Sequence, residues 1–196
     1  MIEKETKIES VIEEVKEFNK KAARNADNRL AEFLDLFNAK FEKQTLYRYR
    51  AETITWALFQ TTISLFANGN NSSVIIEVYS IIEKFAIRDF PKIISDKENI
   101  QSVISDLISR KNLTEIADYY EKIGIWTNED LTQLKKLIQI RNGIAHKNEK
   151  LISKALKSGN EVHYLDIDSI TNKHDSADYI LLAVDLFLKL SDYHKE

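Results

Sequence analysis

The segment Arg141-Asn142-Gly143-Ile144-Ala145-His146 sets a guanidinium, an amide and an imidazole within one short stretch. These are the groups that RNA cleavage without a metal ion requires. When a ribose 2′-hydroxyl attacks the adjacent phosphorus, one proton must leave the nucleophile and another must reach the leaving oxygen. Charge meanwhile builds on the phosphoryl oxygens. An imidazole, with an unperturbed pKa of about 6.5, suits both proton transfers at neutral pH. An arginine fork matches phosphate bidentately and stays charged. An asparagine can donate to a phosphate oxygen or orient the imidazole. Arg141, Asn142 and His146 are therefore the candidate catalytic residues, and the chemistry needs neither metal nor cofactor.

The spacing constrains how they could act. Five residues of ideal helix turn through about 140°, so Arg141 and His146 would not share a face. They could converge through the long arginine side chain and a helix loosened at Gly143, or through a symmetric partner. A two-fold dimer would set two histidines and two arginines around one phosphate and divide general base from general acid. The alternative carries no chemistry: Arg141 caps helix carbonyls and His146 packs against a neighbour.

The surroundings are basic. Between Leu131 and Lys157 lie Lys135, Lys136, Arg141, Lys147, Lys150, Lys154 and Lys157, against the single acid Glu149. In a chain of net charge −3 this is a local positive patch, suited to a nucleic-acid backbone. Lys136, Lys147 and Lys150 are the candidate phosphate-binding residues; lysines that merely solvate helix faces are the alternative. Glu77 and Glu83 are candidate orienting carboxylates, unless they are exposed or paired with Lys84 or Arg88. Trp56, Phe59, Tyr79 and Trp126 fall at helical spacings and read as core. Tyr47-Arg48-Tyr49-Arg50 could touch RNA or start a helix. His163, Asp166, Asp168, His174 and Asp175 lack the spacing of a zinc or calcium loop and read as surface.

The elements that must position these residues are helices. With four glycines and one proline in 196 residues, the chain lacks the turn residues of a β-sandwich. About Thr6 to Gln44 reads as one long charged helix, or as two with a break near Asn25-Ala26-Asp27-Asn28. Leu46 to Ala67 follows, apolar on most sides after Trp56 and hence expected at the centre. Asn68-Gly69-Asn70-Asn71 is a turn, after which Ser72 or Ser73 caps a helix that Pro91 ends at Phe90. Glu98 to Lys111 and Thr114 to Ile123 are shorter helices, the second stopped by Gly124. Thr127 or Asn128 caps the helix that carries the Arg141 motif. A short basic helix over Leu151 to Lys157, an extended piece over Glu161 to Asp168 and a helix from Ala177 to about Tyr193, opened by Ser176, complete the chain. No internal repeat is present. The reading is a single all-α domain over 1–196, with 1–44 as a candidate N-terminal helical appendage and 45–194 as the core.

No window is apolar enough to span a bilayer, and the charged N-terminus lacks a signal-peptide plan. The absence of cysteine excludes a disulfide framework, a thiolate zinc site and a cysteine nucleophile. A cytoplasmic protein without a membrane partner is expected.

Leu137-Ile138-Gln139-Ile140-Arg141-Asn142-Gly143-Ile144-Ala145-His146-Lys147 resembles the signature of HEPN (higher eukaryote and prokaryote nucleotide-binding) domains. That signature is an arginine, a polar residue that is often asparagine, three more residues and a histidine, at the end of a helix with an apolar approach. The likeness covers about a dozen residues. It implies a HEPN-like helical bundle, here with additional N-terminal helices, that commonly forms a homodimer and joins two copies of the motif. It further implies a metal-independent endoribonuclease of a toxin–antitoxin, phage-defence or RNA-processing system, leaving a 2′,3′-cyclic phosphate and a 5′-hydroxyl. RNA and an antitoxin or regulatory protein are the implied partners. A non-catalytic module that binds a nucleotide, an RNA or a protein is the other form such domains take. HEPN toxins paired with nucleotidyltransferase antitoxins carry a tyrosine two residues after the histidine, where this chain has Asn148. That mode of control is not expected.

Overall fold

The computed structural model describes residues 2–41, 53–146 and 173–193. Among them the chain forms α1 (Ile2–Lys40), α2 (Thr53–Ala67), α3 (Asn71–Ile94), α4 (Glu98–Ile108), α5 (Leu113–Lys122), α6 (Asn128–Ala145) and α7 (Lys173–Tyr193), with no strand. The all-α expectation holds. The basic helix over Leu151 to Lys157, the extended piece over Glu161 to Asp168 and the Tyr47 to Arg50 run lie outside the described residues.

The central helix is α3 rather than the expected α2. It packs against α2, α4, α5, α6 and α7. The reason is visible in its side chains. Val74, Ile75, Val78, Ile81, Ile82, Phe85 and Ala86 are all buried, and their spacing wraps a broad apolar arc around the helix. In contrast, α2 keeps Gln60, Thr61 and Ser64 exposed.

The first helix runs unbroken through Asn25 to Asn28. Asn25, Asp27 and Asn28 face solvent, where polar side chains cost a helix little. The next residue, Arg29, fastens α1 to the α2–α3 turn. Its Nε donates to the Phe66 carbonyl at 2.6 Å and its Nη2 to Asn71 Oδ1 at 2.8 Å, with the guanidinium 4.5 Å from the centre of the Phe66 ring. Burial holds the Arg29 pKa below its usual value, against the opposing pull of Glu32. Phe33 and Phe37 are then buried in the common core, with Phe33 against Phe59 and Phe66. The C-terminal part of α1 is thus part of the core and not an appendage.

Two turns end in the same way. At Gly69 (φ +80°) the Asn70 N–H reaches back to the Leu65 carbonyl, and at Gly124 (φ +79°) the Ile125 N–H reaches the Tyr120 carbonyl. The left-handed glycine lets late N–H groups satisfy the last carbonyls of the preceding helix. Because the Gly69 turn is so tight, α3 starts at Asn71, and neither Ser72 nor Ser73 is its cap. Nor does Pro91 end α3, which continues to Ile94 with the Ser95 N–H on the Pro91 carbonyl at 3.2 Å. Phe90 and Pro91 are both buried, and Phe90 packs on the rings of Tyr119 and Tyr120. Tertiary packing outweighs the local preference against a helical residue before proline. At the other end of the chain, α7 opens at Lys173, a turn before the expected Ser176, which is fully buried inside the helix.

Candidate functional site

Everything at the site depends on where α6 points. Thr127 caps it reciprocally with Asp130: the Asp130 N–H donates to Thr127 Oγ1 at 3.2 Å, and the Thr127 N–H to Asp130 Oδ2 at 2.7 Å. Lys189 of α7 donates to both Asp130 oxygens, at 2.8 and 2.7 Å, and pairs with Asp185 at 2.9 Å. Burial alone would raise the Asp130 pKa. The hydrogen bonds from Lys189 and Thr127 outweigh it and hold the carboxyl below its ordinary range. Trp126 is buried beside this start, its ring 4.5 Å from that of Tyr120 and its Nε1 donating to the Leu186 carbonyl. The helix is thereby tied to α5 and α7. Leu131, Leu134, Leu137 and Ile140 bury one side of it.

Arg141 continues that buried side. It follows Leu134 and Leu137 by seven and four residues and reaches α3, where its guanidinium carbon sits 4.5 Å from the centre of the Tyr79 ring. Arg141 Nη1 donates to Asn142 Oδ1 at 3.0 Å. Tyr79 is only 9 % exposed, and its hydroxyl donates to Glu83 Oε1 at 2.7 Å. Burial first, then the hydrogen bond and negative charge of Glu83, push the Tyr79 pKa up to about 12, against the opposing charge of Arg141. The phenol therefore stays protonated and remains a donor to Glu83. A flat cation lies on a buried aromatic ring, with a carboxylate at the ring's hydroxyl end. Such a stack contributes about 0.5–2 kcal/mol and leaves the edges of the guanidinium as donors.

The motif helix is not loosened at Gly143. Helical geometry runs through Ala145, Gly143 is buried, and His146 closes the helix with φ −101° and ψ 7°. The His146 N–H donates to the Asn142 carbonyl at 3.0 Å, the ordinary helical bond, and the residue is exposed. Arg141 consequently faces α3 while His146 lies about 140° further round α6, at its open end. Convergence through a deformed helix, one of the routes the spacing allowed, does not occur.

The remaining candidates divide. Glu83 stands with the motif through Tyr79, while Arg88 pairs with Asp89 at 2.6 Å. Glu77 is half-buried on α3, about 200° round the helix from Tyr79, and is not brought to Arg141. Lys136 lines a separate pocket of about 310 Å³ with Lys40, Gln133, Asp178, Tyr179 and Leu181. Lys135 pairs with Asp118 of α5 at 3.2 Å, which neutralises part of the basic stretch. Lys147 and Lys150 lie outside the described residues. Tyr79, read from the sequence as core, is both core and the platform under Arg141. Its one sequence signal is a glutamate four residues on, in a helix otherwise apolar on that side.

No protein-family model, curated protein or solved structure matches this chain. No helix among the described residues is long and apolar enough to cross a membrane.

Proposed function

We propose that this protein is a metal-independent endoribonuclease of the HEPN type, in which Arg141 and His146 act on RNA across a homodimer. The observation that supports it is Arg141, half-buried on the Tyr79 ring and braced by Asn142, with His146 open to solvent at the end of the same helix. A pre-organised guanidinium costs little to order on a phosphate and stabilises charge that develops there. An exposed imidazole can reach the ribose hydroxyl or the leaving oxygen. Since the two side chains leave α6 in different directions, one active centre takes the arginine of one copy and the histidine of another. A toxin, phage-defence or RNA-processing role under an antitoxin or other regulator belongs to the same proposal, without tyrosine modification at Asn148.

Arg141's existing contacts favour a second reading: a non-catalytic HEPN module that binds a nucleotide, RNA or protein while Arg141 serves packing. One experiment separates the two. Purified protein is incubated with end-labelled RNA in EDTA, beside His146→Ala. Cleavage by the wild type alone, with 2′,3′-cyclic phosphate ends, supports catalysis. Equal cleavage by His146→Ala removes His146 from the mechanism, and no cleavage by either favours the binding module.

A further inference from the structure

Among the described residues, the pocket lined from α1, α6 and α7 holds more positive than negative charge. Lys40 from the end of α1 and Lys136 from α6 both line it, with the amide of Gln133 beside them. Among the described residues neither lysine meets a carboxylate at ion-pair distance, although Lys135, Lys111, Lys92 and Lys189 each do. Lys40 Nζ lies 5.6 Å from the centre of the Phe41 ring. Asp178 on α7 also lines the pocket and has an interaction of its own. Counting it, two cations and one anion leave the described lining residues at a net charge of +1. Lys136 is half-buried, its stem lying along the pocket wall.

The position of the pocket on α6 indicates what supplies the counter-charge. Lys136 and His146 are about 80° apart around the helix and about 15 Å apart along it. Exposed Gln139 lies between them. An extended polyanion with one charged group at His146 would thus pass along a solvent-facing strip of α6 into the pocket. Arg141 faces the other way, into α3.

We propose that this groove holds the backbone of a single-stranded RNA, with the Lys40 and Lys136 ammonium groups on a phosphate a short run of nucleotides from the one at His146. The proposal rests on the reading of His146 as the RNA-cleaving residue and adds the path the strand takes to reach it. A pocket of about 310 Å³ admits a phosphate and its ribose but not a duplex. In-line attack by a 2′-hydroxyl also needs a nucleotide free to leave the A-form stack, which a single strand provides.

The test separates binding from cutting. A fluorescent 2′-O-methyl RNA oligonucleotide lacks the nucleophile, so anisotropy reads binding alone across a salt series. Wild type is compared with the Lys40→Gln/Lys136→Gln double variant and with Lys135→Gln, whose lysine is already paired with Asp118. Circular dichroism checks that each variant is folded. The double variant is expected to bind more weakly, with a slope of log affinity against log salt shallower by about 1.4, or about 0.7 for each cation removed from a single strand. Lys135→Gln is expected to change the slope little. An unchanged slope in the double variant overturns the proposal, as does an equal change in Lys135→Gln. If the slope falls as expected while wild type leaves unmodified RNA uncut, the groove stands and the catalytic reading fails.

Discussion

Replacing Tyr79 with leucine keeps an apolar side chain in the α3–α6 interface but removes the aromatic face beneath Arg141 and the donor to Glu83. The first loss bears on activity. A partly desolvated cation–π stack is worth about 1–2 kcal/mol. If that energy serves to hold the guanidinium where phosphate charge develops, its loss lowers kcat/KM by about 5- to 30-fold. Tyr79→Phe separates the platform from the hydroxyl, because it keeps the ring and leaves Glu83 without its 2.7 Å donor. That variant is expected to lose about 1–3 kcal/mol of stability, the usual effect of unpairing a half-buried hydrogen-bonded group, with cleavage within about threefold of wild type. The assay is cleavage of a fluorescent RNA in EDTA at sub-saturating substrate, with urea unfolding of each variant alongside. Equal activity of Tyr79→Leu and wild type would show that the stack under Arg141 has no part in the reaction. Equal loss in both variants would move the role from the ring to the hydroxyl.

Two further perturbations address the scaffold. Asp130→Asn breaks the link between the start of α6 and Lys189, and at pH 7 it is expected to cost about 1–3 kcal/mol in urea unfolding. The Asp130 carboxyl titrates below its ordinary range in the folded chain, so its contribution is full above the unfolded value of about 3.9 and fades as pH falls through the folded one. The gap between wild type and variant should therefore narrow as pH falls below about 3.9, and a gap that widens in acid would contradict the assignment. Against the pull of burial, hydrogen bonds to Asp130 and Asp185 raise the Lys189 pKa. Lys189's part is full below its unfolded value of about 10.4 and is lost only as pH rises through the folded one. Arg29→Ala removes the two hydrogen bonds and the ring contact that fasten α1 to the α2–α3 turn, with an expected loss of about 1.5–3 kcal/mol. Thermal unfolding within one degree of wild type would mean that Arg29 does not secure α1.

The helical class was legible in four glycines and one proline, and the positions of α5 and α6 in signals that act within one turn. Gly124 stops one helix and Thr127, one of the two caps the sequence offered, starts the next, because capping satisfies backbone groups only a few residues away. Signals that compete with packing misled. Pro91 sits inside α3 because Phe90 and Pro91 are buried with it, and Asn25 to Asn28 leave α1 intact because three of them face water. The apolar run of α2 suggested a central helix, yet centrality is settled by how far around a helix burial extends, and there α3 prevails.

From sequence alone came Arg141, Asn142 and His146 as candidate residues and the angle of about 140° between the two ends of that motif, since helix geometry is local. What lies under each side chain was decided by the tertiary structure. Tyr79 is 62 positions before Arg141 in the chain, and only the packing of α3 on α6 makes it the aromatic bed for the guanidinium. The same packing turns Arg141 inward and leaves His146 outward, and the contacts of α7 with both α1 and α6 put Lys40 and Lys136 on one pocket. Residue types carry the reactivity of a site, but which reactive groups meet depends on burial of apolar faces far apart in the chain.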